Sequence, residues 1–235
     1  MKLWMLVPAL VGGLTAGCAE LGAGTLGARG TPVTACYQLS AEQELLVKLA
    51  QEMVAEGRLH AALANLQQLP ASVPEVQLRK ARILRVLNPD QAWTLYTGLL
   101  NEPCYTAAAN HGLGQVLAGT GNYREAAGHL RLASRDEPAN ADIRNDLGVV
   151  YLQLRRLDEA RFELMTALEL DENSGRSAEN LLVLLIYQDQ WNQASELIAG
   201  KALSQEQFQV AEARARKLQQ EDRALARNAE VSNAQ

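Results

Sequence analysis

The sequence predicts an all-α fold, a superhelix of about five helical hairpins closed by a C-terminal helix. Three observations carry that prediction. First, residue types recur at a spacing of 34: Gly114 and Gly148; Tyr123, Leu157 and Trp191; Ala126, Ala160 and Ala194; Ala133 and Ala167. A fixed period of that length marks stacked helix pairs, because one pair cannot bury its apolar face alone. Second, Leu and Ala make up about a third of the 235 residues, and no alternating strand pattern is evident. Third, no Pro follows Pro138, so nothing interrupts the later helices.

The elements follow in chain order. Residues 1–17 read as an export signal: Lys2, an uncharged apolar run from Leu3 to Gly13, then small residues. The run is too short to span a membrane, which takes about 20 apolar residues. Leu14-Thr15-Ala16-Gly17-Cys18 resembles a bacterial lipobox, with Leu one position further from the Cys than usual. The resemblance implies that Cys18 carries the lipid and that several acyl chains hold the protein stably on a bilayer. Ala19 after the Cys, by the same resemblance, directs the protein to the periplasmic face of the outer membrane. Residues 18–39, with Gly22, Gly24, Gly27, Gly30 and Pro32, read as a flexible tether.

The solenoid is expected over 40–203. Ser40 with Gln43 forms a capping box that opens the first helix. A shortened unit at about 43–72 carries Gly57, Leu59 and Ala62. The next, 73–106, has Ala92 lying 34 before Ala126, with Pro89 in place of an aromatic. Units 107–140 and 141–174 are the clearest, and 175–203 keeps Trp191 and Ala194 but has Leu182 where Gly recurs. Small residues let the paired helices approach, and Tyr123, Leu157 and Trp191 are expected to plug the gap beyond. The apolar run Leu181 to Tyr187 is a buried helix, too short for a span. Ser204 with Gln207 caps a last helix to about residue 228, inside a C-terminal segment 204–235, with Phe208, Ala211, Ala215 and Leu218 on one face.

With Leu113-Gly114, Gly121, Tyr123, Ala126, Ala133 and Pro138, and then Leu147-Gly148, Tyr151, Leu157, Ala160 and Ala167, the chain resembles the tetratricopeptide-repeat family. A short lipoprotein of five such repeats is similar to the TadD-type lipoproteins of the tight-adherence (Flp) pilus system, most closely over 107–174. That resemblance implies a pilotin-like assembly factor that binds a secretin subunit or another pilus component. Pilotins of type IV pilus secretins share the architecture, and a periplasmic adaptor recruiting peptidoglycan hydrolases is a further alternative.

Enzymatic chemistry is not expected. His60, His111 and His129 fall in different units, with no metal-ligand spacing and no phosphate-binding loop. No residues can be assigned as nucleophile, base and oxyanion donor. His60 and His129 read as surface or turn residues. No cofactor or metal is implied. The net charge of −5 argues against nucleic acid, whose phosphates need a Lys/Arg surplus.

Two further expectations concern sites. Disulfides persist in exported proteins, and setting Cys18 aside leaves Cys36 and Cys104, which are expected to pair; the alternative is two free thiols. First helices line the concave groove of a repeat superhelix, which places His111, Gln115 and Ala118, then Asn145, Val149 and Leu152, then Glu179, Val183 and Ile186 toward a partner. That lining lacks a Lys/Arg set, which points to an apolar peptide or amphipathic helix as ligand. A register shift of one residue would instead pack Val149, Leu152, Val183 and Ile186 inside the solenoid.

Overall fold

The computed structural model describes residues 36–233, with side chains through residue 230. The export signal and Cys18, like most of the tether, lie outside the described residues. Among those described, eleven helices make five hairpins and a final helix. The hairpins are α1 (Ala41–Ala55) with α2 (Leu59–Gln67), α3 (Pro74–Leu87) with α4 (Pro89–Leu99), and α5 (Thr106–Gly119) with α6 (Tyr123–Asp136). α7 (Ala141–Gln153) pairs with α8 (Leu157–Leu170), α9 (Gly175–Tyr187) pairs with α10 (Trp191–Lys201), and α11 (Gln205–Asn233) closes the chain. None of these helices is long and apolar enough to cross a membrane.

Local chemistry sets the helix starts. Ser40 and Gln43 bond reciprocally across the start of α1, and Ser204 and Gln207 do the same at α11. Asn88, Asn140 and Ser174 cap α4, α7 and α9 through side-chain oxygens. Pro74 and Pro89 sit in the first turn, where the missing N–H costs nothing. Only Asn88 separates α3 from α4, which is why Pro89 stands where other units carry a large side chain.

The 34-residue period is written in the packing. A Cβ on Gly114 would come within 2.6 Å of Leu130 Cγ, and one on Gly148 within 2.6 Å of Leu164 Cγ. Leu130 and Leu164 are themselves 34 apart and fully buried. The glycine thus makes room for a leucine of its partner helix in the third and fourth hairpins. Ala126, Ala160 and Ala194 are buried at the matching crossings. The same period appears in the turns: Gly121, Arg155 and Asp189 all have positive φ, at 81°, 60° and 55°. Only the first is the glycine that this conformation favours.

Trp191 departs from expectation. It is 47% exposed and plugs nothing, whereas Tyr123 and Leu157 do pack against the core. The last helix runs to Asn233. It lies parallel to α9, in the place a sixth hairpin's first helix would occupy: Gln207 bonds Glu179, Arg214 bonds Asn180, and Gln219 bonds the Tyr187 carbonyl. Its stripe of Ala211, Ala215 and Leu218 is buried, with Phe208 at the edge. Arg155, in the α7–α8 turn, fastens the helix from outside, donating to Asp222 at 2.8 Å and to the Leu218 carbonyl at 3.2 Å.

The Sγ atoms of Cys36 and Cys104 are bonded, with their Cα atoms 5.7 Å apart. The bridge ties the residues ahead of α1 to the loop that opens α5.

Candidate functional site

The nine residues expected to line the groove separate into rows. Residues four apart on a helix share a face, so His111 and Gln115 of α5 both look into the groove and both line its open part. Ala118, Leu152 and Ile186, 34 apart, turn inward instead and pack in the apolar cluster shared with α11. Leu152 and Ile186 are each 2% exposed. Val149 is half-buried against the same cluster, and Val183 is 1% exposed. Leu152, Val183 and Ile186 are therefore core residues, and the expectation that they meet a partner is corrected. The cause is α11, whose small-residue stripe lies over α9 and closes that end.

The polar members of the set are engaged with one another. His111 Nε2 lies 2.7 Å from Asp146 Oδ2, and Gln115 donates to the same oxygen at 2.6 Å. Asn145, 1% exposed, donates to Asp146 and accepts from Asn180, which accepts from Arg214. Glu179 accepts from Gln207. A ladder of side-chain hydrogen bonds thus runs from α5 through α7 and α9 to α11. Burial pushes the Asp146 carboxyl up, but the hydrogen bond and charge of His111, then Gln115 and Arg176, outweigh it and hold the group below its ordinary range.

The sign of the pH effect follows. A carboxyl depressed in the folded state adds stability above its unfolded pKa of about 3.9 and loses it as pH falls through the lower folded value. Asp146→Asn is expected to lower the urea midpoint at pH 7 and to shrink the loss on acidification below about pH 4. Urea titrations at neutral and acid pH check this; equal midpoints for both proteins at pH 7 would refute it.

His129 is neither a free surface residue nor a turn residue. Its Nδ1 lies 2.9 Å from Asn110 Oδ1 and its ring meets Trp93 edge-on, with burial holding its pKa low. Among the described residues no group of three His, Cys, Asp or Glu is placed to hold a metal ion.

The open groove lies two hairpins earlier than expected, over α1, α3 and α5, with a cavity of about 420 Å³. Val47 and Val54 of α1, Ile83 and Val86 of α3, and Tyr96 of α4 supply its apolar lining. Arg79, Arg82 and Arg85 come from one face of α3, and Arg176 reaches in from α9. The expected lack of cations in the groove lining thus fails here. Arg79 pairs with Glu75 at 2.6 Å, and Arg176 sits against Asp142. Arg82 and Arg85 have no carboxylate partner among the described residues. The residue that sequence inspection passes over is Gly112. A Cβ there would fall 2.2 Å from the Tyr96 ring, so Gly112 is what admits that ring to the groove floor. Burial pushes the Tyr96 phenol up, while the charges of Arg85 and Arg82 pull it down.

Stacked hairpins, glycines at the crossings of the third and fourth, and a concave groove define a helical-repeat interaction scaffold, a class that works by binding protein segments. The chain belongs to the tetratricopeptide-repeat family. The family's profile matches residues 111–177. The TPR repeat-containing protein PA4299 of Pseudomonas aeruginosa is 41% identical over 201 residues, covering 85% of this chain and 82% of that protein. Three solved structures share the fold at low identity. A thermophilic TPR protein of Thermus thermophilus has a TM-score of 0.62 at 20% identity, covering 75% of this chain and 98% of that one. Pseudomonas aeruginosa pilF has a TM-score of 0.61 at 22% identity, covering 79% and 87%. MamA of Desulfovibrio magneticus has a TM-score of 0.54 at 20% identity, covering 70% and 96%.

Proposed function

We propose that the protein is a non-enzymatic, lipid-anchored scaffold of the outer membrane that serves assembly of a tight-adherence (Flp/type IVb) pilus. In this reading Cys18 carries the lipid, residues 18–39 give reach, and the groove holds a secretin subunit or another pilus component in pilotin-like fashion. The groove over α1, α3 and α5 carries the proposal. It is a partly apolar concavity left open at one end of a solenoid whose other end is closed by α11. The lipobox-like Leu14 to Cys18 segment and the similarity to TadD-type lipoproteins support the location and the system.

Two variants test it. Cys18→Ala is expected to move the protein from the membrane to the soluble periplasmic fraction, and continued fractionation with membranes would refute lipid anchoring. Val86→Asp places a charge on a groove side chain that is 61% exposed, so folding survives. Capture of the secretin subunit from envelope extract should then fall at least about tenfold, the weight of one 1.4 kcal/mol contact. Undiminished capture by the folded variant would place the partner elsewhere.

A further inference from the structure

The floor of the groove holds more charge and more unmet polarity than a purely apolar ligand would use. Two buried side-chain polar atoms, Arg85 Nε and Tyr96 Oη, meet no partner at good hydrogen-bond geometry among the described residues, although the Arg85 side chain lies against the Tyr96 hydroxyl, and both residues line this groove. A buried donor left unpaired costs about 1–3 kcal/mol. Tyr96 is 1% exposed, so its hydroxyl is held there by packing and not by solvent. Arg82 and Arg85 add two cations unmatched by carboxylates to a chain whose net charge is −5. Around them, Val54 and Val86 present exposed apolar surface, at 39% and 61%.

We propose that the groove over α1, α3 and α5 takes a partner segment in which a side-chain carboxylate is flanked by large apolar residues. The carboxylate seats against Arg82, Arg85 and the Tyr96 hydroxyl, and the flanking residues cover Val54 and Val86. Arg–carboxylate bonds are charge-assisted and stronger than neutral ones, and the water-poor floor strengthens them further. This inference rests on the reading of the groove as the partner site, and it specifies what the partner must carry.

The test is selection from a random peptide library, with both peptide ends blocked, against the purified full-length chain in detergent. Enriched peptides should share an Asp or Glu between apolar residues. Changing that acid to its amide should weaken binding, read by fluorescence anisotropy, at least about tenfold. Arg85→Gln and Arg82→Gln should each weaken the acidic peptide and leave its amide form unchanged. If Arg85→Gln lowers helicity, the exposed Arg82 decides the matter.

The idea is overturned by enriched peptides without an acid, by failure of any peptide to enrich, or by equal binding to the variants. Preference for a free C-terminal carboxylate over an internal acid also overturns it. So does dimerisation abolished by Arg85→Gln, which would put a second copy in the groove. Peptide binding needs no pilus component, so it survives failure of the pilus assignment; secretin capture indifferent to Arg85→Gln removes only this inference.

Discussion

Val183→Asp is expected to destabilise the protein by at least about 3 kcal/mol, because it puts a carboxylate into a packed apolar cluster. Val183 is 1% exposed on α9, in the cluster it shares with Ala211, Ala215 and Leu218 of α11. Charging it should therefore release α11 first. A urea titration followed by far-UV circular dichroism should show an earlier midpoint. Proteolysis should then cut within 205–233 before the rest of the chain. Val86→Asp, the same chemical change at 61% exposure, should stay within about 0.5 kcal/mol of the wild type. If both variants unfold alike, α11 is not what closes that end of the groove.

The second large effect belongs to the Cys36–Cys104 bridge. It closes a loop across a sequence separation of 68, for which the chain-entropy argument gives about 4 kcal/mol and typical measurements about 2–4. A repeat solenoid is held by nearest-neighbour contacts, so the loss should fall on the first two hairpins and spare the last. α2 has only 9 residues and α1 has no described hairpin ahead of it. Hydrogen exchange on the Cys36→Ser/Cys104→Ser double variant should quicken over 41–99 and stay unchanged over 141–201. Uniform quickening would show one cooperative unit.

Much of the fold is legible because the physical demand recurs. Gly114 and Gly148 must admit Leu130 and Leu164, so the same residue returns every 34 positions. Ser40 and Ser204 are readable as caps because the reciprocal bond needs a Gln three residues on. Illegible features depend on what comes from elsewhere in the chain. Nothing at Val183 announces that α11 will lie on it, since its neighbours on α9 would look the same facing an open groove. Arg155 and Asp189 hide their left-handed turns because neither is the residue that turn prefers. The groove's chemistry was hidden for a related reason. Tyr96 belongs to a second helix, and only the absence of a side chain at Gly112 brings it to the concave face.

The covalent bridge and the hydrogen-bond ladder meet on α5. Cys104 stands just ahead of that helix, and His111 begins the ladder from within it. A pull on the chain ahead of Cys36 therefore reaches α5 through a covalent bond as well as α1 through the backbone. From α5 the load passes across α7 and α9 to α11 through directional side-chain bonds. Of the helices that line the open groove, α5 takes this load directly, α1 takes it through the backbone, and α3 lies between them. Tension applied ahead of Cys36 is thus shared between the first and third hairpins instead of being carried by α1 alone.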